Sequence, residues 1–432
     1  MGFDASGCHR CHAKARTCGY PRAVKNHLRL GLGALFLLLG CDGDAPAATA
    51  DAAVDAVTLN DLGPDAPADA GDLDAPVTVD VPDVPPIDLG AGPIDPSRWP
   101  IDQPGPFRVG FRSMMHTYTP VGTTTPRTIK ISFWYPTLVA QGAHPTYSVI
   151  FTDRESWVDA PPAAPVHPRG YPVHVYSHGY QGVAGSTHFL MRYFASHGWI
   201  CVAPDHTGNT LTDTPVSPIP IQIRHYRSAD VTESLNVLGA LPAGDPLAGR
   251  ADARTAVLSG HSFGSHTTWA SAGATFDVDA VRPRCTAAKR CTDEDLAIFR
   301  RGLGDPRFVA VMPMAGSIDR GYFGPTGHRS VRVPVLAMSG TADLVGDQEQ
   351  FDSTAGVDVT WIDVRGGCHQ FFGLGHCPLI DDSLQGAIVG TYALAFARRH
   401  LLGDMDPVIL GTLDGTRPVN ERVAFRRHDA GL

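Results

Sequence analysis

The sequence predicts an α/β fold in which a mostly parallel sheet is covered by helices on both faces. Three observations predict it. From about residue 99 onward, short β-branched and apolar runs alternate with longer stretches of helical spacing. The run Thr255-Ala-Val-Leu-Ser-Gly260-His-Ser262-Phe-Gly264 passes from such a strand straight into a helical segment of small residues. The composition, 43% hydrophobic and 18% charged over 432 residues, is enough for one large buried core with polar loops.

Ahead of that region lie two segments of different character. Residues 1–41 carry six Lys or Arg against the single acid Asp4, and they contain the apolar run Leu28–Leu39. At about a dozen residues, that run is too short to span a bilayer and reads as a signal-peptide core. It ends in Leu38-Leu39-Gly40-Cys41, which resembles a bacterial lipobox. The resemblance implies lipidation at Cys41, an anchored protein and a place in the bacterial cell envelope facing periplasm or exterior. An ordinary signal peptide with an incidental cysteine is the alternative. Cys8-His9-Arg10-Cys11-His12 matches a haem-attachment spacing but lies upstream of the cleavage point, so it is set aside. No Met occurs between Met1 and Met114, and Val24 would begin a compact signal, so Val24 stands beside Met1 as a candidate start.

Residues 42–97 hold thirteen aspartates, no Lys or Arg and no aromatic residue. Such a segment cannot bury enough apolar surface to offset its ordering entropy and reads as a disordered acidic tether. Residues 98–432 are then the expected folded domain. The net charge of −9 is carried by the tether, and the remainder is close to neutral. Nothing in that remainder favours a nucleic-acid partner.

Within 98–432, strands are expected at Phe107–Phe111, Thr128–Trp134, Val173–Ser177, Ile200–Ala203, Thr255–Leu258, Val309–Met314, Val333–Met338 and Val357–Val364. Helices are expected at Thr187–Ser196, Gln222–Leu241, Ser265–Ala272, Glu294–Arg301 and Leu384–His400. Eight strands with a Gly-x-Ser-x-Gly turn after the fifth is the α/β-hydrolase order. The two glycines let strand and helix approach closely, and the turn raises the Ser262 hydroxyl at a helix N-terminus, where developing negative charge is favoured.

A serine nucleophile needs a base, an orienting carboxylate and an oxyanion hole, and in this fold the chain order is Ser, acid, His. Asp343 follows the seventh strand and is the expected orienter, with Asp347 as alternative. His369 follows the eighth strand and is the expected base, with His376 as rival. Position singles out His369, because most of the 19 histidines must be structural. His206, His261 and His266 are read as packing or pocket residues. The oxyanion donors are expected to be the N–H groups of Phe263 and of Tyr180, in the loop Tyr176-Ser-His178-Gly179-Tyr180; His178 itself is read as a structural loop residue. Among the later cysteines, Cys201 sits in an apolar run and reads as a buried thiol. Export permits disulfides, and two are expected, Cys285–Cys291 and Cys368–Cys377, with zinc as the less fitting alternative.

Tyr176-Ser-His-Gly-Tyr180, Ala203-Pro-Asp-His-Thr-Gly-Asn-Thr210, Gly260-His-Ser-Phe-Gly264, Asp305-Pro-Arg-Phe308 and Gly340-Thr-Ala-Asp343 together resemble the predicted dienelactone hydrolases, a group allied to platelet-activating-factor acetylhydrolases and bacterial polyester hydrolases. The resemblance covers about residues 105–402, with a small insertion before the sixth strand at about Phe276–Asp305. It implies hydrolysis of small-molecule or lipid carboxylic esters through an acyl-enzyme, without metal or organic cofactor. True dienelactone hydrolases use cysteine where this chain has Ser262, so that substrate is not implied. Amide, thioester or peptide cleavage by the same triad is the second reading, and a non-catalytic surface binding protein on the same scaffold is the third. Tyr180, Phe263, Phe371 and Phe372 are expected to make the pocket aromatic.

Overall fold

The computed structural model describes residues 95–148, 151–317, 319–343 and 348–429. The expected signal segment, Cys41, nearly all of the acidic tether and the alternative acid Asp347 lie outside the described residues. Every described residue falls in one compact unit.

The central sheet has ten strands: β1 (Arg108–Tyr118), β2 (Arg127–Thr137), β3 (Ser156–Val158), β4 (Tyr171–Ser177), β5 (Ile200–Asp205), β6 (Ala251–His261), β7 (Phe308–Met314), β8 (Val335–Gly340), β9 (Val359–Val364) and β10 (Val423–His428). Their spatial order is β10-β9-β8-β7-β6-β4-β5-β2-β1-β3. From β5 to β9 every neighbouring pair is parallel. β1 and β2 form an antiparallel hairpin whose second strand pairs antiparallel with β5. This is the α/β-hydrolase arrangement.

The expectation of eight strands in the central sheet is corrected to ten, and a separate two-stranded sheet pairs Thr146–Tyr147 with Phe151–Thr152. Both strands missed in the central sheet lie at its edges. β3 is three residues long and pairs parallel with β1. β10, Val-Ala-Phe-Arg-Arg-His, runs antiparallel to β9 and has no fully buried residue. A short or charged edge strand carries little of the apolar signal that marks a central one, and such edges also resist pairing with other chains. β4 shows the contrast, being buried at all seven positions.

Side chains alternate across the sheet, as the two-residue strand period requires. Val257 joins one apolar cluster with the helix α1 (His188–Ser196) and the C-terminal helical segment; Ala256 and Leu258 join the other with α2 (Gln222–Gly239) and α3 (Phe263–Ser271). The expected helix Leu384–His400 is α-helical over Thr391–Ala397 with a wider π turn on each side. The insertion before β7 holds the helix α4 (Asp293–Arg301), opened by a Thr292/Asp295 capping box.

Candidate active site

β6 ends at His261, and α3 begins at Phe263. Ser262 between them has φ 55° and ψ −118°, a left-handed backbone that a residue with a Cβ rarely adopts. Surrounding hydrogen bonds hold it there. The Ser262 N–H donates to the Met314 carbonyl at 2.9 Å, and the Ser265 N–H donates to the Ser262 carbonyl at 2.8 Å. A Cβ at Gly260 would run into the Gly264 carbonyl, and one at Gly264 into the Ser177 carbonyl. Strand, turn and helix are therefore pressed together at both glycines of the motif. Strained backbone of this kind persists at functional sites where its surroundings over-determine it.

Asp343 and His369 come from separate strand ends. Gly340 closes β8 against Gly367 in the loop after β9, so closely that a Cβ at Gly340 would overlap the Gly367 backbone. The Ala342 N–H donates to the Gly367 carbonyl at 2.9 Å, and the Gly366 N–H to Thr341 Oγ1 at 2.9 Å. This lacing sets His369 Nδ1 3.0 Å from Asp343 Oδ2, with the carboxylate side chain only 4% exposed. The contact calls for the proton on Nδ1 and leaves Nε2 as the basic nitrogen. The loop bearing His369 is tied to the elbow by His261, whose Nε2 lies 3.0 Å from the His369 carbonyl and whose ring centroid is 4.7 Å from the His369 ring. Burial and the neighbouring imidazole hold His261 down to about 3, so it stays neutral and donates.

The rival base lies elsewhere. His376 pairs with Asp382 at 2.7 Å and is 75% exposed. Asp319, a further carboxylate past the end of β7, is bound by Arg224 and lies 3.3 Å from His266. The Cys285–Cys291 and Cys368–Cys377 disulfides are both formed, and Cys201 is a buried free thiol. The second bridge closes the loop that follows directly from His369.

Gly179 abuts the nucleophile: a Cβ there would lie 3.1 Å from Ser262 Cβ. Phe263, first residue of α3, is buried, and its ring lies under two guanidinium groups of α2, Arg224 at 4.9 Å and Arg227 at 4.6 Å. The expected aromatic pocket is corrected. Phe371 and Phe372 are fully buried members of the core, and of the four residues named only Tyr180 is half-exposed.

Sequence reasoning missed the buried polar network beneath the 178–180 turn. Asp230 accepts from Tyr118 Oη, from Arg127 and from His206 Nδ1, the last at 2.9 Å. His206 Nε2 lies 2.9 Å from Ser177 Oγ. Ser177, His206 and Asp230 thus repeat the hydrogen-bond order of a catalytic triad, but all three are 0% exposed, so no substrate carbonyl reaches Ser177. Arg227 donates to Asn209 Oδ1, Thr267 Oγ1 and the His178 carbonyl. Burial, with Arg227 nearby, pushes His178 and His206 far below the usual histidine range. The signal for this network was the stretch Asp205-His-Thr-Gly-Asn209, which supplies His206 and Asn209.

No curated protein matches the chain in sequence. The Chlorophyllase family model matches residues 153–280, a span that holds the 178–180 turn, His206 and the Ser262 elbow and stops before Asp343 and His369. Among solved structures, a ferulic acid esterase from Streptomyces cinnamoneus superposes with a TM-score of 0.52 at 20% identity, covering 74% of this chain and 96% of that one. The likeness is one of fold.

Proposed function

We propose that this protein is a serine hydrolase of carboxylic esters. The observation that carries the reading is the His369–Asp343 pair at 3.0 Å, on a loop tied through His261 to the strand-to-helix turn that bears the left-handed Ser262. Ser262 Oγ attacks the acyl carbon while His369 Nε2 takes its proton; His369 then returns that proton to the leaving alcohol. Water repeats the cycle to release the acid. Asp343 holds the imidazole tautomer and stabilises the imidazolium. The N–H groups of Phe263 and Tyr180 receive the oxyanion. The Chlorophyllase match and the esterase fold neighbour support esters over other acyl groups.

The upstream sequence supports an exported protein anchored by lipid at Cys41, with the domain carried on the acidic tether. Metabolic labelling with palmitate, lost in Cys41→Ala, tests the anchor.

The catalytic reading is tested by treating the protein with a fluorophosphonate probe and assaying p-nitrophenyl acetate. Labelling and turnover that both vanish in Ser262→Ala are expected. A folded wild-type protein that neither labels nor turns over overturns it.

A further inference from the structure

Resting on that reading, we propose that His178 is a positioning residue for ester hydrolysis: its imidazole, seated on the His206 backbone, sets the Gly179–Tyr180 peptide plane and so aims the Tyr180 N–H at the oxyanion.

Both ring nitrogens of His178 are engaged. The His206 N–H donates to Nε2 at 2.9 Å, so Nε2 carries no proton. The proton is then on Nδ1, which donates to the Gly179 carbonyl at 2.7 Å. That carbonyl also accepts from the Gly182 N–H at 3.1 Å. Two donors thus fix the direction of the Gly179 C=O. In a planar trans peptide the following N–H points the opposite way. The direction of the Tyr180 N–H is therefore decided by what grips the Gly179 oxygen, while Gly179 itself lies against Ser262.

The grip is stiff because its support is buried. His178 and His206 are both 0% exposed, with ring centroids 4.6 Å apart. Asp230 and Ser177 hold the His206 ring from either side. Arg227 takes the His178 carbonyl and also lies over the Phe263 ring, so one guanidinium touches the segments carrying both oxyanion donors. An oxyanion hole works when its donors are already aimed before charge develops. This gives the buried Ser177–His206–Asp230 array a role although it cannot reach substrate.

The test compares His178→Asn with His178→Leu in the full chain. The Asn amide stands near the place of Nδ1 and keeps a donor for the Gly179 oxygen; Leu keeps apolar bulk and removes it. The readouts are kcat and KM on p-nitrophenyl acetate and inhibition by phenylboronic acid, whose adduct on Ser262 puts an oxygen in the hole. Losing one oxyanion donor outright costs about 10²- to 10³-fold. Because Gly182 keeps its bond, His178→Leu is expected to lose about 10- to 100-fold in kcat and in boronate affinity, with KM changed less than about threefold. His178→Asn is expected to recover most of both. A His178→Leu enzyme with wild-type kcat overturns the assignment, and so does a folded His178→Asn no better than His178→Leu. If His178→Leu does not fold, His178→Gln, whose amide reaches the Nε2 position instead, replaces it; equal kcat for Gln and Asn then overturns the assignment. Absence of turnover in the wild-type protein would instead overturn the ester-hydrolase reading.

Discussion

His369 Nδ1 and Asp343 Oδ2 stand 3.0 Å apart although the two residues leave different strands, and the join between them is backbone against backbone at Gly340 and Gly367. The orienting contact is made by the way two loops are pressed together, with the side chains following.

Asp343→Asn should leave the fold intact and lower kcat by about 10⁴-fold, the usual cost of presenting the wrong imidazole tautomer. His376→Ala and Asp382→Asn, at an exposed pair away from this contact, should keep wild-type kcat. Steady-state kinetics on p-nitrophenyl acetate decides both, and a dead His376→Ala enzyme would reassign the base.

Gly340→Ala should push the acid and base loops apart. A methyl group there meets Gly367 backbone, which cannot turn aside as a flexible side chain can. We expect a stability loss of about 1–3 kcal/mol from overpacking, together with a fall in kcat. Thermal melting read beside kinetics separates the two effects.

Opening the Cys368–Cys377 bridge should cost more activity than opening Cys285–Cys291. Each closes a short loop and should contribute about 2–3 kcal/mol to stability. Only the first frames the loop leading away from His369. The double variant Cys368→Ser/Cys377→Ser should lose kcat at temperatures where it remains folded, while Cys285→Ser/Cys291→Ser should keep it. Equal kcat in both would remove the catalytic role of the first bridge.

Acid should destabilise the domain steeply below about pH 6.5. Burial lowers His174 and His261 to about 3 and His266 to about 4, and pushes His178 and His206 well below the usual range. A histidine held neutral by burial contributes stability that is complete above its unfolded value of 6.5. As pH falls below 6.5 the unfolded chain takes up protons that the folded one refuses, and that contribution is lost progressively down to the folded value. Each such group removes about 1.4 kcal/mol per pH unit in that window. Denaturant midpoints measured from pH 7 to 4 should fall throughout; a flat profile would contradict the neutral buried histidines.

The central strands were readable in the sequence because strands covered on both faces are buried along their length, as Tyr171–Ser177 is, and so read as mostly apolar runs. The elbow was readable because its motif is local: the two glycines and Ser262 lie within five residues, although Gly264 is pressed against the neighbouring strand at Ser177. Chain order alone put Asp343 and His369 forward. The edge strand Val423–His428 was not readable, since an exposed strand needs no apolar face and shows its register only through its partner β9.

The sequence by itself determined the α/β architecture, the turn at Ser262 and the pairing of the cysteines into two short loops. Tertiary structure alone decided which histidine meets which carboxylate. Across 19 histidines the chemistry is identical, and only packing separates His369 on Asp343 from His376 on Asp382, from His266 beside Asp319 and from His206 on Asp230. The physical reason is that, apart from the local His376–Asp382 pair, the partners are supplied by residues remote in the chain. Their meeting depends on sheet order and on glycine-lined contacts between loops, which no local pattern records.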